Sequence, residues 1–192
     1  MAVEDRRTRE RAARRRLIVD TARQLAEAEG WDAVTTRRLS TEIEYSQPVL
    51  YKHFSGMDAI ARAVALDGFA ALAGLLRTAR TDAATPRNAL NRVARSYLDF
   101  ARDNPAVYDA MFTERTTLRF AEPDTPPELV AAFTELREAV SAVAHEADAD
   151  TLAEVFWAAL HGLVSLGRGG RLRREYERAR VAMLIAQFCG EH

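Results

Sequence analysis

The sequence predicts an all-α fold of roughly nine helices, and three observations carry that prediction. Apolar side chains recur every three or four residues in one segment after another, which is the period of an amphipathic helix. Alanine occurs 36 times and arginine 26 times among the 192 residues, and both residue types favour helices. No segment shows the strict alternation of apolar and polar residues that marks a half-buried strand. A chain of this length can bury a sizeable core without disulfides or metal ions.

The first predicted helix is long and ends at a glycine. Residues 14–29 carry an apolar stripe at helical spacing, and Gly30 follows as a C-terminal stop signal. Thr35 is then placed to cap a short second helix, whose Leu39 and Ile43 point toward the core. The spacing therefore predicts a supporting helix followed by a short capped one.

A third, shorter helix follows after a turn at residues 44–46. It begins near Gln47 and holds Pro48 in its first turn, where a missing N–H costs little. Leu50 and Phe54 lie four residues apart and anchor one face of this helix to the core. Two short helices joined by a tight turn behind a longer one form a helix-turn-helix pattern.

The remainder of the chain predicts about six further helices. Asn104-Pro105 breaks this region once, and residues 113–127 hold three prolines and many polar residues, which is typical of a loop. The predicted helices cover approximately 58–81, Pro86 to the break at Asn104, a short stretch through 108–112, 127–146, 149–166 and 171–188.

The net charge of -1 conceals a segregation of charge along the chain. Residues 1–16, the basic arm, contain seven arginines against three acids. Residues 1–54 sum to +2 and residues 55–192 to -3, so the chain divides by charge as well as by pattern. We expect a helix-turn-helix domain with its arm over residues 1–57 and a larger helical domain over residues 58–192.

Several functional classes lose support from the sequence. The single Cys189 excludes a disulfide framework and any paired-cysteine metal site, and it fits a reducing cytoplasm. No apolar run approaches the roughly 18 residues that span a membrane, so no membrane partner is expected. The four histidines show no metal-ligand spacing, and no phosphate-binding or hydrolase motif is present. We therefore expect no cofactor, no metal site and no catalytic residues.

The residue types of the third helix suit the major groove of DNA. The amide of Gln47 can both donate to and accept from a base edge, and Val49 can meet a thymine methyl group. Tyr51, Lys52 and His53 follow within one turn, and each can donate to a phosphate oxygen.

The segment from Thr35 to Leu39, together with Gln47-Pro48-Val49-Leu50-Tyr51-Lys52-His53-Phe54, resembles the TetR (tetracycline-repressor) family of transcriptional regulators. The resemblance covers about residues 10–60. It implies a three-helix DNA-binding head, a helical body for ligand binding and dimerisation, and homodimers on palindromic operators. The DNA-contacting residues that it implies are Arg37, Gln47 and Val49 on bases, Thr36, Tyr51 and His53 on phosphates, with Pro48 and Lys52 in the same motif.

The chain departs from the family pattern at two positions. Many members have glycine in the turn where this chain has Glu44, which makes the backbone of that turn a point to examine. Many have lysine where this chain has Met57, so one charge contact with phosphate is missing there.

The body resembles the family more loosely. Trp157, His161 and Gly162 resemble the Trp-His-Gly signature of one subgroup of regulatory domains. Each aromatic or sulfur-bearing residue of the body has core packing as its alternative role. The candidate residues of an effector pocket are Tyr97, Tyr108, Met111, Phe112, Phe133, Trp157 and His161.

The last two predicted helices carry apolar stripes that favour a dimer of four helices. The alternative is that both stripes are buried within one chain. The candidate interface residues are Phe156, Leu160, Leu163, Tyr176 and Met183.

The function that these observations favour is a DNA-binding transcriptional regulator, released from a palindromic operator by a small, largely apolar effector. Two alternatives remain open: a small helical enzyme, and a helical interaction module without DNA binding.

Overall fold

The computed structural model describes residues 2–112, 118–120, 122–144 and 148–190, with side chains described from Asp5 onward. Within these residues the chain forms nine α-helices and two single 3₁₀ turns, so the all-α prediction is confirmed. The helices are α1 (Ala2–Glu29), α2 (Thr36–Glu42), α3 (Gln47–Tyr51), α4 (Met57–Thr81), α5 (Pro86–Asp103), α6 (Pro105–Phe112), α7 (Pro127–Ser141), α8 (Ala149–Arg168) and α9 (Glu177–Phe188).

Three helix ends differ from the sequence prediction. α1 begins at Ala2 instead of residue 14, because the basic arm is helical without an apolar stripe to reveal it. α7 ends at Ser141 instead of 146, and a turn follows; residues 145–147 lie outside the described residues. α9 begins at Glu177, after a 3₁₀ turn that occupies part of the predicted helix. Parts of the predicted loop at 113–127, namely residues 113–117 and 121, also lie outside the described residues.

The chain divides into two compact units. The first comprises residues 1–68 and 104–119, and the second comprises residues 69–103 and 120–192. The first unit therefore contains α6 in addition to the three helices of the predicted head. The functional division that the sequence predicts at residue 57 stays a prediction.

α6 is attached to α1 within the first unit by hydrogen bonds between residues far apart in sequence. The carboxylate of Glu27 accepts hydrogen bonds from the backbone N–H groups of Ala106 and Val107, each at 3.0 Å. The indole N–H of Trp31 donates to the carbonyl of Ala106 at 2.8 Å. Because the first N–H groups of a helix lack partners inside that helix, Glu27 caps α6 from outside and complements its positive end.

The second unit is built around buried side chains of α5, α7 and α8, with one buried carboxylate. Glu135 is the only charged residue buried among the described residues. It accepts hydrogen bonds from the guanidinium groups of Arg77, at 2.8 Å, and Arg80, at 2.7 and 2.9 Å. Two arginine partners compensate for the loss of water around that carboxylate, so the pairing fixes α7 against the second half of α4.

The helix α4 corrects one expectation from the sequence. An 18-residue window of it reaches a mean hydropathy of 1.7, which by length and composition is enough to cross a membrane. Charged residues such as Arg62 and Asp67 interrupt the apolar residues of this window, so it does not stand out as one continuous apolar run. Of that window 56% is buried inside the protein, which is the pattern of a core helix.

The two glycines of α4 provide a test of the packing in the first unit. A Cβ atom on Gly68 would lie 2.5 Å from Cγ1 of Val107 and 2.8 Å from the sulfur of Met111, whereas Gly74 has open space. We expect Gly68→Ala to lower the free energy of unfolding by roughly 1–3 kcal/mol through overpacking. Gly74→Ala is expected to raise it by about 0.5–1 kcal/mol, because alanine favours a helix. Urea unfolding measures both, and a stable Gly68→Ala protein would contradict the described contact between α4 and α6.

Candidate nucleic-acid interface

Two local features define the backbone of the helix-turn-helix: a side-chain cap at the start of α2 and a strained turn between α2 and α3. The Thr35 hydroxyl accepts a hydrogen bond from the backbone N–H of Arg38 at 3.1 Å, so the predicted cap of α2 is confirmed. The turn between α2 and α3 contains Glu44 with φ of 56°, the only non-glycine positive φ in the described part of the chain. A side chain in this left-handed region costs about 1–2 kcal/mol, which explains why glycine suits the position. Glu44 therefore adopts a left-handed backbone conformation that glycine would adopt without strain.

The recognition helix α3 has one buried face and one exposed face. Leu50 is 1% exposed and Phe54, just beyond the helix, is 4% exposed, which confirms their predicted role as anchors. The opposite face presents its polar residues to solvent, with Val49 half-buried between the two faces. The exposed residues at this face and its end are Gln47, Pro48, Tyr51 and Lys52. The predicted base-contacting and phosphate-contacting groups of α3 are therefore accessible together.

A cation of α1 fixes the end of α3. The Arg15 guanidinium donates a hydrogen bond to the backbone carbonyl of His53 at 3.0 Å, and its carbon lies 4.1 Å from the ring centre of Phe54. One guanidinium thus makes a cation–π contact with the Phe54 ring and donates to a carbonyl at the helix end. No local spacing predicts this contact, because the two groups lie 38 residues apart.

His53 is half-buried rather than openly exposed. Burial lowers the pKa of His53, and the nearby cations Arg11, Arg14, Arg15 and Lys52 lower it further. Its Nδ1 atom is buried and has no hydrogen-bond partner among the described residues. A neutral imidazole at pH 7 follows, which can contact a phosphate as a hydrogen-bond donor rather than as a cation.

The two arginines of α2 have different surroundings. Arg38 is tied to Glu42 at 2.8 Å and to Glu29 at 3.0 Å, so it braces α2 against α1. Arg37 is exposed and makes no ion pair with any side chain that the structure describes. Thr36 beside it is half-buried. The arginine implied as a DNA contact is therefore the one whose guanidinium is available.

The candidate effector residues do not all belong to one unit. Tyr108, Met111 and Phe112 are in α6 of the first unit, and the rings of Tyr108 and Phe112 are 4.6 Å apart. Phe133, of α7, is half-buried in the second unit, as is His161 of α8. Their membership of a single pocket stays a prediction.

An aromatic cluster forms within the second unit. The indole N–H of Trp157 donates to the hydroxyl of Tyr97 at 3.0 Å. Phe120 lies with its ring centre 4.7 Å from that of Trp157 and 5.7 Å from that of Phe69. Sequence reasoning missed Phe120, because it stands in a loop where no helical spacing marks a buried side. Burial also lowers the pKa of His161, which keeps its imidazole neutral at pH 7.

The candidate interface residues differ in how deeply they are buried within the single chain. Phe156 and Leu160 are both 0% exposed within the single chain, and the Phe156 ring packs 5.0 Å from that of Phe188. These two residues therefore belong to the core, because an apolar stripe does not reveal whether its partner lies in the same chain. Tyr176 is 44% exposed and Met183 is 70% exposed, while Leu163 is half-buried.

No group of three or more His, Cys, Asp or Glu residues able to hold a metal ion occurs in the described parts of the chain.

Family models of known proteins match both parts of the chain. Residues 18–64 match the family model described as bacterial regulatory proteins of the tetR family. Residues 90–188 match the model described as a tetracyclin repressor-like C-terminal domain. These two matches cover the helix-turn-helix and most of the body.

Individual relatives are similar over different shares of the chain. The HTH-type transcriptional regulator YobS of Bacillus subtilis is 34% identical over 98 residues, which are 50% of this chain and 49% of YobS. The HTH-type transcriptional regulator Rv0681 of Mycobacterium tuberculosis is 29% identical over 158 residues, or 81% of this chain and 71% of that protein. A solved structure from Rhodococcus sp. RHA1 superposes with a TM-score of 0.74 at 24% identity, covering 92% of this chain and 93% of the other.

The strained turn gives a test of the helix-turn-helix geometry. Replacing Glu44 by glycine removes the left-handed strain, so we expect the free energy of unfolding to rise by about 0.5–1 kcal/mol. The matched control is Glu154→Gly at an exposed position inside α8, where glycine is expected to lower stability by a similar amount. Urea unfolding distinguishes the two, and a loss of stability in both variants would show that Glu44 is not strained.

Proposed function

The chain belongs to the TetR family of bacterial transcriptional regulators, and on that premise we propose that it represses transcription from a palindromic operator and is released by a small effector. The observation that carries the proposal is the division of α3 into a buried face and an exposed polar face. Regulators of this family bind operator DNA and form dimers. The chain spans about half the length of the first relative described above, so the activity and partners of the whole protein are part of the proposal.

The recognition helix α3 is proposed to enter the major groove. Gln47, at its exposed N-terminal end, would read base edges together with Arg37 of α2, while Val49 contacts a thymine methyl group. Thr36, Tyr51, Lys52 and His53 would hold the phosphates on either side, with Pro48 against the DNA at the start of the helix. This assignment combines the exposure of each side chain with the residue roles that the family resemblance implies.

The dimer is proposed to form through α8 and α9. Among the described residues, these two helices and the 3₁₀ turn before α9 expose several large apolar side chains, which a single chain leaves in water. They are Val155, Leu166, Tyr176 and Met183. Two such helices from each protomer would form a four-helix bundle and place two recognition helices in successive major grooves, about 34 Å apart.

The effector is proposed to bind in the second unit near the aromatic cluster of Phe69, Tyr97, Phe120 and Trp157. A largely apolar lining with a few polar groups is typical of small-molecule sites. The Tyr97 hydroxyl and the neutral imidazole of His161 would supply the polar contacts. Because the residues of this cluster are largely apolar, the proposed effector is a largely apolar small molecule.

Release from DNA would follow from a shift between two conformations. The helix α4 begins in the first unit and ends in the second, so it is one covalent path between the proposed effector site and the recognition helix. An effector that prefers the conformation with wrongly spaced recognition helices lowers operator affinity by as much as it prefers that state. A regulator of bacterial DNA acts where the chromosome lies, so we place the protein in the cytoplasm.

The operator can be found without knowing the controlled genes. Selection of the purified protein on a library of random duplexes is expected to enrich an inverted repeat whose half-site centres lie about one helical turn, or a small multiple of it, apart. Failure to enrich any sequence would contradict the proposed function.

Two variants of α3 separate base reading from phosphate holding. On the selected operator, Gln47→Ala is expected to cost about 1–3 kcal/mol of binding free energy and to relax base preference at one position of each half-site. Lys52→Ala is expected to weaken selected and random duplexes alike and to lower the salt slope by about 1. Fluorescence anisotropy on both duplexes measures this, and an equal loss from both variants on both duplexes would contradict the assignment.

The dimer is tested by the mass of the protein in solution. Light scattering is expected to give about twice the chain mass of 21.4 kDa. Met183→Glu is expected to yield monomers at micromolar concentration, because a charge would be buried at the interface. Val130→Glu changes an apolar side chain of α7 that is 49% exposed and should leave the dimer intact. A dimer that survives Met183→Glu but not Val130→Glu would place the interface elsewhere.

A further inference from the structure

A groove in the first unit lies between the basic arm and the end of α3. Its volume is about 420 Å³, and we refer to it as the basic groove. Four of its six lining residues come from α1 and two from the end of the recognition helix. The lining residues are Arg7, Glu10, Arg11, Arg14, Lys52 and His53.

The charge of the basic groove is not balanced by its own side chains. Four cations against one carboxylate leave it with a net charge of +3. Its only acid, Glu10, is already paired with Arg6 at 2.8 Å. By contrast, none of the four cations makes an ion pair with any side chain that the structure describes, although Arg16 and Arg38 nearby do. Like charges held together repel each other, so this groove is complementary to an anion.

The arm is not required by the hydrophobic core. From Asp5 to Leu17 every described side chain is exposed, and Ile18 is the first buried one. The spacing of Arg7, Arg11 and Arg14 places all three on one face of α1, above one another. The match to the family's DNA-binding model begins only at residue 18, so the α1 wall of the groove lies outside it.

The two walls of the basic groove are held together by a neighbouring residue. Arg15 donates to the carbonyl of His53 and packs over Phe54, so the arm side and the α3 side share one anchor. His53 itself lines the groove beside Lys52. A tetrahedral anion has several acceptor oxygens, so it can bind more than one of the four cations at once.

We propose that the basic groove binds a backbone phosphate of DNA beside the recognition helix, so that the arm extends each half-site contact beyond the helix-turn-helix. The proposal rests on the proposed function, because it takes α3 to face DNA. It adds affinity without sequence preference, since phosphates carry no base information. Free phosphate compounds offer the same chemistry, and the experiment below distinguishes the two sources.

The test compares two arginines of the same arm. Arg11 lines the groove, whereas Arg9 does not and only donates to the carbonyl of Asp5. Anisotropy with the selected operator and with a mixed-sequence duplex of about 30 base pairs is measured over a series of salt concentrations. Arg11→Gln is expected to weaken both duplexes by about five- to tenfold for each protomer at 0.1 M salt, and to lower the salt slope by about 1. Arg9→Gln is expected to change affinity by less than about twofold.

A second variant is expected to gain affinity, which misfolding cannot imitate. Glu10→Gln removes the only acid from the groove and should strengthen binding to both duplexes. Equal effects of Arg11→Gln and Arg9→Gln, or no gain from Glu10→Gln, would overturn the proposal.

Calorimetry with inorganic phosphate alone identifies the source of the anion. We expect no binding of inorganic phosphate at micromolar concentration. Tight binding of inorganic phosphate that Arg11→Gln abolishes, with DNA affinity unchanged, would overturn the assignment to DNA. A wild-type protein that binds no duplex would instead contradict the proposed function itself. If the protein still prefers its operator but the two arginine variants bind DNA equally well, the proposed role of the basic groove is wrong and the proposed function stands.

Discussion

A helix of five residues cannot hold itself together in water, and the polar surface that is proposed to read DNA is built on such a helix. Forming the first turn of an isolated helix is unfavourable, so α3 depends on packing for its existence. That packing comes from Leu50 and Phe54 beneath it and from Arg15 across its end. The recognition surface is therefore a property of the whole first unit and not of the α3 sequence alone.

The distribution of charge explains how a chain with a net charge of -1 can approach DNA. The arm carries seven arginines, and Lys52, the only lysine of the chain, stands at the end of α3. The body carries the compensating acids, including eight between residues 123 and 154. The basic arm attracts phosphates and the acidic body repels them, which favours an approach to DNA through the arm.

Local spacing predicted the parts of the fold that depend on near neighbours. The Thr35 cap and the Leu50 anchor follow from residues three or four positions apart. Contacts over long separations left no such signal, and the Glu27 cap on α6 joins groups about 79 residues apart. Apolar periodicity also does not show whether a stripe is covered by the same chain or by a partner. The sequence therefore predicts Phe156 and Leu160 at an interface, although both are buried in the core. The helical conformation of the arm could not be predicted, because the arm has no apolar stripe.

We propose that α3 enters the major groove while its anchors, Leu50 and Phe54, stay buried. A crystal structure of the protein with its selected operator duplex tests this most directly. We expect two copies of the chain on one duplex, with the Gln47 amide within hydrogen-bond distance of a base edge and Phe54 still in the core. A complex in which α3 lies away from the major groove, or in which another surface contacts the bases, would contradict it.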